Sequence, residues 1–184
     1  MECCLYRCCG RSLLLKVQIV FTFPLLQDVT QFLHLPTLYT LTLTTGRLPL
    51  PTFAAPLQNL RLSTFALPDE ITAFLARHGS VKAFYAEDGL DVLRLLPIVE
   101  GRSAILLPDL TSLRMNATWM ALDPECVIEI VESRSGRLDE LVIVGKDYQR
   151  RQLKGSMESV GGLWERWDVA CRKLKVVEVD ENSF

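Results

Sequence analysis

The sequence predicts an α/β solenoid, with short parallel strands on a concave face and helices outside. Three observations predict it. An L-x-x-L-x-L string, with conservative replacements, recurs six times. A proline stands just ahead of the first position in three copies, as Pro36, Pro56 and Pro108. Capped, amphipathic helical stretches follow two of them.

The copies are Leu38, Leu41, Leu43; Leu57, Leu60, Leu62; Val81, Phe84, Ala86; Leu110, Leu113, Met115; Leu138, Leu141, Ile143; and Leu174, Val177, Val179. Their first positions lie 19, 24, 29, 28 and 36 residues apart. Most of these intervals fall in or near the leucine-rich-repeat range of about 20–29 residues. The last two apolar positions of each copy are two apart, so a strand directs both to one face. The first position turns inward from the preceding bend, where proline suits a chain that has no ladder bond to make. One unit cannot bury its apolar face alone, but stacked units bury it as a continuous core. Thr45, Thr64 and Ala117 occupy the region where regular repeats place Asn or Cys, so the repeat is irregular.

Helices are expected between the strands. Residues 68–78 open with Pro68, Asp69 and Glu70 and close at Gly79, with Ile71, Phe74 and Leu75 as the apolar stripe. Residues 123–135 repeat the design, with Asp123 as N-cap, Pro124 at N1 and Val127, Ile128, Ile130 and Val131 inward. A third helix is predicted over 162–172, where Leu163, Trp164, Trp167, Ala170, Cys171 and Leu174 keep helical spacing. A shorter one is predicted within 88–99, where Pro97 interrupts.

With 184 residues, 49% of them apolar, the chain can bury a sizeable core. Residues 1–32 read as a leader, poorly ordered or an incomplete cap, and 33–184 as the repeat domain. Deleting residues 1–12 is expected to leave the melting temperature almost unchanged, since they carry no usable apolar period. The net charge of −2 gives no field that favours nucleic acid. The basic stretch 146–175, with Tyr148, Trp164 and Trp167, reads as a helix with its tryptophans on the apolar side rather than as a nucleic-acid surface. Residues 13–26 are apolar but interrupted by Lys16, Gln18 and Pro24, so no membrane span is expected.

Four of the six cysteines crowd the start as Cys3, Cys4, Cys8 and Cys9. That crowding is not a disulfide framework, and a reducing compartment, cytoplasmic or nuclear, is expected. Adjacent cysteines also converge poorly on a tetrahedral metal, whereas lipidation beside an apolar stretch is physically sensible. Cys126 and Cys171 read as small core residues. His34 precedes the first repeat and His78 ends a helix, and neither is paired in sequence with a nucleophile. Gly161-Gly162 lacks the surroundings of a phosphate loop. No catalytic residues, cofactor or metal are assigned, and the chain is expected not to be an enzyme.

The phrases "LPTLYTLTL", "APLQNLRLSTFALPDEITAFLARHGSVKAF" and "LPDLTSLRM", with the helix end Phe74, Leu75, Arg77, His78, resemble the C-terminal repeats of divergent, fungal-type F-box/leucine-rich-repeat proteins. The resemblance covers roughly residues 33–180. It implies a repeat region that recognises substrates for a Skp–cullin–F-box ubiquitin ligase. No F-box is recognisable here, because Leu67-Pro68-Asp69-Glu70 caps a repeat helix. A Skp-type adaptor is therefore expected as a partner only if the full gene supplies that segment. The alternative is a repeat-only scaffold.

The concave face should carry the binding residues, since the position between two inward residues points away from the core. Those positions and their neighbours in the alternation are Thr40, Thr42, Arg61, Ser63, Tyr85, Arg114, Asn116, Val142 and Glu178. Tyr85, Arg61 and Arg114 lead the set, because Tyr and Arg dominate protein-interface hot spots.

Overall fold

The structure is a computed structural model. It describes the backbone of residues 2–7, 15–20, 38–45, 57–64, 68–88, 90–98 and 105–180, and the side chains of 57–63, 68–87, 91–98 and 105–180. The described strands form one sheet of eight whose spatial order is the chain order. They are β1 (Glu2–Arg7), β2 (Leu15–Val20), β3 (Leu38–Thr45), β4 (Asn59–Thr64), β5 (Ala83–Asp88), β6 (Ser112–Asn116), β7 (Glu140–Val144) and β8 (Lys175–Val179). β1 runs antiparallel to β2, and every pairing from β2 to β8 is parallel. The two leader strands thus extend the sheet, while residues 8–14 and 21–37, including His34, lie outside the described residues.

Successive units enter the sheet in the same way. The Gln58 carbonyl accepts from the N–H groups of Lys82 and Ala83, that of Lys82 from Thr111 and Ser112, and that of Thr111 from Asp139 and Glu140. Lys175 N–H then bonds the Asp139 carbonyl at 2.9 Å. Each bend therefore satisfies its own polar backbone by templating the next strand. The residues just ahead of these carbonyls, Leu57, Val81, Leu110 and Leu138, are all buried, as the inward first position requires.

Helices α1 (Pro68–Arg77), α2 (Leu90–Leu93), α3 (Ala117–Leu122), α4 (Pro124–Ser133), α5 (Asp147–Ser159) and α6 (Leu163–Cys171) fill the connections. Ile71, Phe74 and Leu75 are the buried stripe of α1. α4 starts where expected, with Pro124 in its first turn and the Asp123 carboxylate accepting from Cys126 N–H at 3.2 Å. α2 is a single turn, short of Pro97, which cannot continue a helix. α3 and α5 were not predicted. Asn116 ends β6 and also caps α3, so strand passes to helix without a loop. α5 is mostly polar and buries only Gln149, Leu153 and Met157, a weak periodic signal.

The core is one cluster between sheet and helices. Leu60, Leu62, Phe84, Ala86, Leu113, Met115, Leu141 and Ile143 come from the strands; residues such as Phe74, Val127, Ile130, Leu153 and Trp167 come from the helices. Leu113, in the middle of the sheet, is fully buried, which fixes the register expected for β6. Trp167 joins the core, whereas Trp164 of the same predicted stripe remains 36% exposed.

β8 departs from the predicted register by one residue. Val176 aligns with Leu141, Val177 with Val142 and Glu178 with Ile143. Glu178 therefore belongs to the helix-side row, not to the opposite face of the sheet, and Val177 takes the place assigned to it. Two reasons are visible. The adjacent Val176 and Val177 offer an apolar residue to either alternation, so pattern alone fixes neither. Among the described strands β8 pairs with β7 alone, and the helix-side carboxylate of Glu178, 61% exposed, pairs with Arg150 of α5 at 3.2 Å.

Candidate functional site

Parallel pairing brings one residue from each strand into a transverse row on the sheet face away from the core. Arg61, Tyr85, Arg114, Val142 and Val177 form this row. The Arg61 guanidinium carbon lies 5.0 Å from the centre of the Tyr85 ring, and that of Arg114 lies 5.7 Å from the same centre. The ring is thus held between two cations, each attracted to its π-electrons.

Glu87 follows Tyr85 by two residues and shares its face. It holds Arg61 in a two-point grip, accepting from Nε at 2.7 Å and from Nη2 at 2.5 Å. The backbone carbonyl of Glu87 accepts in turn from the indole N–H of Trp119 on α3, at 3.1 Å. A bidentate arginine–carboxylate pair fixes orientation as well as charge. Both partners remain about one-third exposed, so the contribution to stability is small.

Two residues earlier along the strands lies a second row, Asn59, Ala83, Ser112, Glu140 and Lys175. Glu140 accepts from Ser112 Oγ at 3.1 Å and from Lys175 Nζ at 2.7 Å. The Lys175 bond, with lesser help from Ser112 and Arg114, holds the Glu140 carboxyl below the usual range. Burial pulls the Arg114 guanidinium downward, with Arg61 adding and Tyr85 and Glu140 opposing. Arg114 nevertheless stays charged at neutral pH, as arginines do. Over the two rows and Glu87, three cations face two carboxylates. This polar, half-buried surface can stack, donate hydrogen bonds in forked pairs and attract an anion.

The nine predicted residues divide accordingly. Arg61, Tyr85 and Arg114 come together as a contiguous cluster. Val142 shares their row but is buried, outside the main core cluster. Ser63 is also buried. The side-chain oxygen of Asn116 accepts from Thr118 N–H at 2.8 Å, so it caps a helix. Thr40 aligns with Asn59 and Thr42 with Arg61, and their side chains lie outside the described residues. Glu178 stands on the other face, as described. Glu87, Ser112, Glu140 and Lys175 were missed. Glu87, Ser112 and Glu140 each sit two residues from a predicted position, so extending the period-two count would have found them, whereas Lys175 lies in the alternation opposite to the predicted Glu178 and follows only from the observed β8 register.

Elsewhere, titratable groups are dominated by burial. His78 is buried with its ring 4.6 Å from that of Phe74. Burial, and then Arg77, lowers its pKa. Burial pushes the Cys126 thiol up to about 11 and that of Cys171 up to about 12. Among the described residues, no group of three or more His, Cys, Asp and Glu side chains could hold a metal ion. No described helix is long and apolar enough to cross a membrane.

Comparison with known proteins returned no matching family model, no matching curated protein and no matching solved structure.

Proposed function

We propose that the chain is a protein-recognition module of the leucine-rich-repeat kind, an irregular solenoid that binds a partner on the concave face of its sheet. The observation that carries this reading is the Arg61–Tyr85–Arg114 cluster, built from three adjacent strands, with Arg61 held by Glu87. Arginine and tyrosine supply large contact area at low entropic cost, and they dominate the measured energetics of protein interfaces. The cluster is preorganised, so little side-chain freedom remains to be lost on binding. The sequential parallel strands and the repeated carbonyl-to-next-strand bonds support the repeat reading.

A role as substrate receptor for an F-box-type ubiquitin ligase, in the cytoplasm or nucleus, rests on the resemblance of residues 33–180 to such repeats. A repeat-only scaffold with no ligase link uses the same face.

Affinity capture of the tagged chain from cells, compared with a Tyr85→Ala/Arg114→Ala variant, tests the recognition reading. Circular dichroism should find both equally folded, because neither side chain belongs to the core cluster. Proteins retained by the parent and lost from the variant are the expected result. An identical set from both would contradict it. Co-capture of a Skp-type adaptor separates the ligase role from the scaffold role.

A further inference from the structure

The charges of the Tyr85 row are distributed in a way that narrows the partner, on the premise that this row is the recognition surface. Among the described side chains of the row and its flanks, Arg61, Arg114 and Lys175 face two carboxylates, Glu87 and Glu140. The carboxylates sit on either side of the cluster, and each holds a cation. Toward β4, Glu87 grips Arg61 through two bonds. Toward β8, Glu140 joins Ser112 to Lys175. Two neutral pairs thus flank Arg114, the middle cation, on β6.

Arg114 also differs from other arginines in what surrounds it. Arg94 and Arg166 each bond a carboxylate directly, Asp123 and Glu132, and those bonds raise their pKa. Arg114 is half-buried in the row between Tyr85 and Val142. Burial is the largest influence on it and lowers its pKa; Tyr85 and Glu140 pull the other way without offsetting it, and Arg61 adds to the fall. The protein's own charges therefore return less than the loss of water has taken. A carboxylate brought from outside would meet a cation already partly desolvated, where an ion pair is worth more than one at the rim.

The size of the surplus selects the class of anion. One positive charge matches one carboxylate. A phosphoryl group carries about −1.5 to −2 at neutral pH, and a nucleic-acid strand one charge about every 3.4 Å, so either calls for more cations in line. Arg61 and Lys175 serve less well as the contact, because a ligand on either would strip Glu87 or Glu140 of its cation.

We propose that Arg114 anchors one aspartate or glutamate side chain of a protein partner, which docks as a forked pair on the guanidinium beside the Tyr85 ring. The planar fork of arginine fits a carboxylate at two points, which an ammonium does not. The Tyr85 ring, 5.7 Å from the guanidinium carbon, shelters one side of the contact, and the Arg61–Glu87 and Glu140–Lys175 pairs form its polar rim.

The test uses the whole chain as bait for a phage-displayed library of random dodecapeptides, followed by fluorescence anisotropy of the enriched peptides. These should share an acidic position. Replacing that residue by its amide counterpart should weaken binding about tenfold, the change from one lost charge contact. In Arg114→Gln, checked for fold by circular dichroism, acid and amide peptides should bind alike, and Arg114→Lys should restore part of the difference. Arg151→Gln, exposed on α5, should leave the difference intact. Peptides that Tyr85→Ala releases but that share no acidic position would overturn the anchor and leave the recognition surface standing. So would an acid-to-amide difference that survives in Arg114→Gln. Peptides indifferent to Tyr85→Ala, or no enrichment at all, would overturn the anchor together with the reading it rests on.

Discussion

Arg134 is the largest fully buried side chain among the described residues, and its charge faces carbonyls. Nε donates to Leu96 O at 3.0 Å, Nη1 to Leu107 O at 3.1 Å and Nη2 to Leu106 O at 2.6 Å. Burial, and then Arg137, brings its pKa down to about 10, so it remains charged at neutral pH. One of its acceptors, Leu107, has φ 49°, a left-handed conformation that costs a bulky residue energy. Arg134 therefore clasps a strained turn that is otherwise anchored by the buried Leu106, Leu107 and Leu110. Arg134→Ala should destabilise the chain by roughly 3 kcal/mol in urea melts, since three buried carbonyls lose their donors. Arg134→Lys should recover only part of the loss, because an ammonium lacks the planar fork. His78 gives a second prediction at this scale. Its folded pKa lies below the unfolded value of about 6.5. Above pH 6.5 both states hold it neutral and it adds no pH dependence. As pH falls below that, the unfolded chain takes up a proton that the folded chain resists, and stability declines until the folded pKa is reached. The slope due to this group is at most about 1.4 kcal/mol per pH unit. Parallel melts between pH 7 and 5 should show a loss that is reduced in His78→Gln; equal slopes would contradict the buried-imidazole account.

Elements met their expected places where a local rule and the apolar period agreed. α1 and α4 carried proline, acids or an N-cap together with a clear stripe, and both formed within two residues of expectation. α5 carried neither. Its N-terminal bond, Lys146 N–H to Gln149 Oε1 at 2.5 Å, and the bond from Gln149 Nε2 to Thr118 Oγ1 at 2.8 Å, use a residue type that marks many positions in any sequence. What draws α5 against α3 is tertiary, and Gly145 is part of it. A Cβ there would stand 3.0 Å from Ala117 Cβ and 3.1 Å from Gln149 Oε1. Gly145→Ala should therefore cost about 1 kcal/mol or more through crowding, despite its smaller backbone entropy loss. A gain in stability would mean that the α3–α5 contact is looser than its distances. Leu113→Ala, in the middle of β6, should cost roughly 2–5 kcal/mol in the same melts, because a fully buried leucine leaves a cavity among strands that cannot collapse. The β8 misreading belongs to this scale as well. The L-x-x-L-x-L string fitted Leu174, Val177 and Val179, but a string fixes register only where a second strand punishes the wrong face.

At the scale of the whole molecule, the repeated string made the parallel strands and their order legible. From β3 to β7 each copy names the same inward positions, and pairing one copy with the next aligns them. The candidate site was legible in part for the same reason. Alternation located Arg61, Tyr85 and Arg114, but it could not distinguish an exposed position from one that is buried, such as Val142, or committed to a cap, such as Asn116. The Asn116 cap is set locally, by the helix that starts at Ala117, whereas the burial of Val142 depends on the strands beside it. The account centres on the concave row as the recognition surface, and site-specific photocrosslinking in cells tests it most directly. A benzoylphenylalanine at Tyr85 keeps an aromatic ring in the row, and one at the exposed Glu129 of α4 reports on the helix side. The account predicts discrete adducts from position 85 and none from position 129. Adducts from position 129 with none from position 85 would contradict it.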